Sequence, residues 1–140
     1  KQLGVADSFG AEGAWESEKQ FGVLKPGTLT GEATPEAALG ALSAMAGPDS
    51  VVAVTKDKSG SLIQQNEVVC DIPAYPVKAV DTTGAGDMYA AGLLYGLTQN
   101  LTLEVSGRIA AYTAAQVVAH LGPRVPSVDR EAVEVIKSGL

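Results

Sequence analysis

The chain has 140 residues, of which 46% are hydrophobic and 19% charged, the balance of a soluble globular domain. Its net charge is −6 and no basic stretch stands out, which argues against nucleic acid or an anionic membrane as the main partner. No apolar run approaches the ~18 residues of a membrane span, and the single cysteine, Cys70, has no partner for an internal disulfide, so a reducing, cytoplasmic setting is expected.

Residues 1–33 are rich in Gly, Glu and Ser and show little periodicity. They are expected to be irregular, with one short helix around Trp15–Phe21, as a poorly defined continuation of a domain formed by residues 34–140. From Thr34 the pattern sharpens: Thr34 suits an N-cap, Pro35 the first helical position and Glu36 the positive end of the helix dipole. The stretch to Ala46 is then helical, and Gly47-Pro48 ends it. The β-branched run Val51–Thr55 predicts a buried strand. A turn over Lys56–Gly60, a strand Ser61–Gln64, a turn at Gln65-Asn66 and a strand Val68–Cys70 follow, and another strand is expected at Val77–Val80.

Asp81–Gly86 then leads into a helix from about Gly86 to Thr98, apolar on nearly every face and so expected to be buried. A second helix is expected over Thr102–Leu121, closed by Gly122-Pro123, and a last one over Arg130–Lys137. Strands alternating with helices predict an α/β sheet with helices packed on its faces.

The chemistry is concentrated in Asp81-Thr82-Thr83-Gly84-Ala85-Gly86-Asp87. Glycines in a turn let the backbone approach a ligand closely. The N–H groups of a first helical turn lack intrahelical partners and carry the positive end of the dipole, so the segment suits phosphate or developing negative charge. Asp87 falls inside that first turn, where a carboxylate can take the proton of a substrate hydroxyl attacking a γ-phosphoryl group. A plainer reading has Asp87 only stabilising a helix start and the glycines only making a turn. Two rival phosphate motifs fail on their residues: no Lys follows the glycines as a P-loop requires, and Tyr89 stands where a dinucleotide fingerprint needs its third glycine.

That run, followed by an aromatic residue two positions on and then Ala-Gly, resembles the C-terminal motif of the PfkB, or ribokinase-like, carbohydrate and purine kinases. Residues 35–128 follow the order of that family: helix, strand ending in Thr, turn ending in Gly, strand pair, motif, then two helices with Gly122-Pro-Arg-Val-Pro126 between them. The resemblance implies a ribokinase-like, three-layer α/β/α fold, present here in part. It implies an ATP- and Mg²⁺-dependent transfer of the γ-phosphoryl group to a hydroxyl of a sugar or nucleoside, with Asp87 as base and the amides of Gly84, Ala85 and Gly86 as anion hole. Asp81 and Thr83 match positions that hold a monovalent cation, K⁺, or shape the loop. Thr55 and Gly60 match the ends of an ATP-contacting turn whose middle glycine is here Asp57. Ala111 stands where many relatives carry an Asn near the adenine. The Asn-x-x-Glu motif that organises Mg²⁺ in relatives is absent as such; of two registers, Phe9-Gly-Ala-Glu12-Gly-Ala14 and Trp15-Glu16-Ser17-Glu18, the second is slightly favoured because it retains Glu18.

The N-terminal half that supplies the lid and grips the substrate in relatives is not found in this sequence. A partial polypeptide, or partnership in a homo-oligomer, is therefore expected. The alternative to a kinase is a nucleotide-binding fragment without turnover of its own.

Overall fold

In the computed structural model, residues 21–24, 34–123 and 127–139 are described. The chain divides into two compact units, the first ending at Asp71 and the second beginning at Ile72.

The first unit is built on a four-stranded sheet. Strand β1 (Phe21–Leu24) runs parallel to β2 (Val51–Thr55), with Phe21 opposite Val51 and Leu24 opposite Val54. Strand β2 pairs antiparallel with β3 (Ser61–Gln65), Val51 facing Gln65 and Thr55 facing Ser61, and β4 (Val68–Ile72) follows at the edge. The turn between β3 and β4 is tight because Asn66 accepts a φ of +53°, a left-handed conformation that Asn tolerates better than most residues.

Between β1 and β2 lies helix α1 (Pro35–Ala46), bounded as the sequence dictates. The Thr34 hydroxyl accepts the N–H of Ala37 at 3.2 Å, and Gly47 leaves the helix at φ +79°. Leu39 and Leu42 project from α1 onto Val52, Val54 and Leu62 of the sheet. Burying each leucine stabilises the unit by roughly 1.5–3 kcal/mol.

Strand β1 corrects the expectation that residues 1–33 are irregular apart from a short helix around Trp15–Phe21. Phe21 is the first residue of a strand, and residues 15–20 lie outside the described ones. The run Phe-Gly-Val-Leu is too short to carry a period, and its pairing comes from β2, far along the chain.

The second unit is helical. Helix α2 (Ala85–Thr98) packs along α3 (Leu103–Val118), and α4 (Arg130–Lys137) packs on α3. Thr102 caps α3 through the N–H of Val105, and Asp129 caps α4 through those of Glu131 and Ala132. Ile109, Tyr112, Val133 and Ile136 form the α3–α4 core. Helix α3 ends at Val118, three residues before the expected Leu121. Helix α2 buries one stripe, Tyr89, Ala90, Gly92, Leu93 and Gly96, while Tyr95 on the other side is 41% exposed, so its burial is one-sided where all-round burial was expected.

The strand expected at Val77–Val80 does not form. Val77 and Val80 are exposed, and the N–H groups of Val80 and Asp81 both reach the carbonyl of Val118, at 2.8 and 3.3 Å. A β-branched run becomes a strand only where an edge offers its ladder; here a helix end takes those donors instead. Among the described residues no helix is long and apolar enough to cross a membrane.

Candidate active site

In the second unit the loop before α2 is held from both sides by one carboxylate. Asp81 Oδ1 accepts the N–H of Thr83 at 2.9 Å, and Oδ2 accepts the N–H of Gly122 at 3.0 Å. The Thr83 amide, then its hydroxyl, then the Gly122 amide hold this carboxyl below the usual carboxylate range. These bonds draw the loop into a fixed bend that ends at Gly84, whose φ of +82° places it in the left-handed region open to glycine at little cost.

Gly84 is also the residue before the first turn of α2, and it has no side chain to cap that turn. The other described helices, α1, α3 and α4, each begin with a side-chain cap. The N–H of Ala85 turns back to the carbonyl of Thr82 at 3.2 Å, and that of Met88 closes onto Gly84 at 3.1 Å. Between them, the N–H groups of Gly86 and Asp87 have no acceptor among the described residues. A glycine at the N-cap in place of Ser, Thr, Asn or Asp costs only a few tenths of a kcal/mol, and the open donors of this turn carry the positive end of the dipole.

The two motif glycines do different work. Gly86 has no positive φ, and a Cβ built on it meets no described atom within 4 Å. Its missing side chain therefore leaves open space beside the first turn of α2 and does not serve a turn. Asp87 follows it, exposed and without a described hydrogen bond or ion pair, so the carboxylate is not consumed in capping its own helix. Behind it the Thr113 hydroxyl reaches the carbonyl of Met88 at 2.8 Å, tying the start of α2 to α3. Thr113 escapes sequence reading because nothing in its own neighbourhood signals a bond across 25 positions.

In the first unit Thr55, Asp57 and Gly60 come together in the turn after β2. A 3-10 turn over Asp57–Ser59 is closed by bonds from Lys56 N to the Gly60 carbonyl (2.6 Å) and from Gly60 N to the Asp57 carbonyl (3.2 Å). Asp57 adopts φ +49° and Gly60 φ +96°. The aspartate at the middle-glycine position thus takes the left-handed conformation a glycine would take, which Asp tolerates better than most residues. Lys56 is 14% exposed and pairs with Asp71 at 2.6 Å, so it braces the turn.

Ala111 is half-buried on α3, next to Ala110. Glu18 lies outside the described residues. Asp81, Thr83, Gly84, Ala85, Gly86 and Asp87 are gathered at the start of α2. Among the described residues no group of three His, Cys, Asp or Glu side chains comes together as a metal cluster.

The profile of the pfkB family carbohydrate kinases matches residues 25–130. A sugar kinase of Archaeoglobus fulgidus is 35% identical over 74 residues, covering 53% of this chain and 30% of that protein. The crystal structure of a probable sugar kinase from Rhizobium etli superposes with a TM-score of 0.71 at 30% identity, over 84% of this chain and 35% of that one. An adenosine kinase from Sinorhizobium meliloti superposes with a TM-score of 0.70 at 27% identity, over 85% of this chain and 36% of that one. The chain thus spans about a third of the length of these relatives.

Proposed function

Because this chain belongs to the pfkB family of carbohydrate kinases and carries part of their ribokinase-like α/β fold, we propose that it supplies the ATP-binding, catalytic part of a sugar or nucleoside kinase. The observation that carries this reading is the start of α2: an uncapped helix with two unengaged N–H groups and an unpaired carboxylate in the same turn. In the proposed reaction the Asp87 carboxylate accepts the proton of the substrate hydroxyl as that oxygen bonds to the γ-phosphorus. The bond from phosphorus to the ADP oxygen breaks, and the amides of Gly84, Gly86 and Asp87 face the charge on the transferring group. The Ala85 amide joins them on giving up Thr82. Thr55, Asp57 and Gly60 are proposed to contact the nucleotide through the backbone of their turn. Ala111 lies by the adenine without a hydrogen-bonding side chain.

Mg²⁺ is proposed to arrive with the phosphates of ATP, with Glu18 helping to hold it. For Asp81 and Thr83 the bonds to Thr83 N and Gly122 N favour loop shaping over binding of K⁺. Since the chain spans about a third of its relatives, a second reading has it bind ATP without turnover by itself.

Incubation with ATP, Mg²⁺ and a panel of sugars and nucleosides, followed by ADP assay, separates the two. Acceptor-dependent ADP supports the kinase, ATP binding without ADP supports the second reading, and failure to bind ATP removes both.

Gly86→Ala gives a sharper result. In a helix Ala is favoured over Gly by roughly 0.5–1 kcal/mol, so the variant is expected to melt about 2 °C higher. Its methyl group enters the open space at residue 86, by which the phosphates are proposed to approach the amides, and ATP should bind about tenfold more weakly. A variant that melts higher and binds ATP undiminished would show that the anion sits elsewhere.

A further inference from the structure

The end of α3 meets the phosphate loop at successive points. The Val118 carbonyl takes the N–H groups of Val80 and Asp81, and four residues on, Gly122 (φ +86°) donates to Asp81 Oδ2. The next residue closes on the loop itself. A Cβ built on Gly84 would lie 2.9 Å from Pro123 Cβ, 3.0 Å from its Cα and 3.2 Å from its carbonyl oxygen. The backbone of residue 84, which sets the direction of the first amides of α2, is therefore walled by Pro123.

We propose that the turn Leu121–Pro123 is the positioning element of the anion-binding amides, with Pro123 the positioning residue that keeps Gly84 left-handed. The proposal rests on the reading that those amides receive a phosphoryl group. Glycine populates several backbone regions almost equally, so φ +82° needs an external selector. On one side the bonds of Asp81 to Thr83 and Gly122 fix the approach of the chain. On the other stands a proline, whose ring fixes its own φ and makes the wall stiff. Held between them, the amides point one way before any anion arrives, which is the condition for electrostatic preorganisation. Pro123 touches no reacting atom in this scheme and acts through Gly84.

The test uses the full chain, labelled with ¹⁵N, as Pro123→Ala and Pro123→Gly. Alanine keeps the Cβ that faces Gly84; glycine removes it and frees the backbone. In Pro123→Gly the amide resonances of Gly84 and Gly86 are expected to shift or broaden, and ATP to bind about tenfold more weakly, as misdirected groups do. Helix content by circular dichroism should be unchanged, and Pro123→Ala, which keeps the Cβ but loses the stiff ring, should bind ATP at a level between the unmodified chain and Pro123→Gly. Resonances of Gly84 and Gly86 in Pro123→Gly that coincide with those of the unmodified chain overturn the proposal. So does an equal loss of binding in both variants accompanied by loss of helix, which marks a merely structural proline. If the unmodified chain binds no ATP, the kinase reading fails, and the Gly84 and Gly86 resonances alone decide whether Pro123 sets the loop.

Discussion

Asp87→Asn is expected to abolish phosphoryl transfer while leaving ATP bound. The asparagine keeps the size and helical position of the aspartate but cannot accept a proton from a substrate hydroxyl. Loss of a general base lowers turnover by about 10²- to 10⁴-fold. Binding should hold or tighten, because a negative charge is removed beside the unengaged amides of Gly86 and Asp87. Magnitude separates this from the plainer role in helix stabilisation. A carboxylate in an exposed first turn contributes only about 0.3–1 kcal/mol through the dipole, and Asp87 makes no capping bond that would raise this. A purely stabilising Asp87 would give a slightly lower melting temperature with turnover intact. ADP assay, calorimetric ATP binding and a thermal melt on one preparation distinguish the outcomes, and intact turnover in Asp87→Asn sinks the assignment.

What could be read from the residues divides along the range of the interactions involved. Helix α1 announces itself because Thr34 caps an amide three positions away, and the caps of α3 and α4, Thr102 and Asp129, act over the same two or three positions. The loop Asp81–Asp87, proposed to receive phosphate, announces itself by a motif of seven consecutive residues. Strand β1 does not, because its ladder is supplied by Val51–Val54. Val77–Val80 misleads for the converse reason: its composition says strand, but the Val118 carbonyl takes the donors of Val80 and Asp81. Within the site, sequence reading treats Gly84 and Gly86 alike, and only the backbone separates a left-handed turn residue from a helical glycine beside open space. Asp57 looks like a departure by identity, yet at φ +49° it adopts a left-handed conformation open to glycine. The roles of Pro123 and Thr113 depend on contacts made at distances of 25 positions or more along the chain, and no local pattern carries them.

The largest loss of stability is expected from Gly96→Val. Helices α2 and α3 cross where Gly92 and Gly96 face Ser106, Ala110 and Thr113. A Cβ on Gly96 would lie 2.5 Å from Ser106 Oγ and 2.6 Å from both its Cα and Cβ, and one on Gly92 would strike the Thr113 hydroxyl and come 2.8 Å from Ala110 Cα. A backbone Cα cannot swing aside as a side-chain tip can, so the helices must separate. Overpacking a tight core costs about 1–3 kcal/mol even where side chains can yield. Here the stripe that includes Leu93, fully buried, would open as well, and roughly 3 kcal/mol or more is expected, a fall of about 10 °C in melting temperature. Gly40 is the control: it lies within α1, exposed, and a Cβ there meets nothing within 4 Å. Gly40→Ala should instead stabilise by up to about 1 kcal/mol. A Gly96→Val chain that melts within 2–3 °C of the unmodified one, about what 1 kcal/mol produces, would mean that the crossing can relax. The same displacement should reach the site, because the bond from Thr113 to the Met88 carbonyl fixes the residue next to Asp87. Gly96→Val is therefore expected to lose stability and turnover together, whereas Asp87→Asn loses turnover alone, and this contrast separates holding the base in place from being the base.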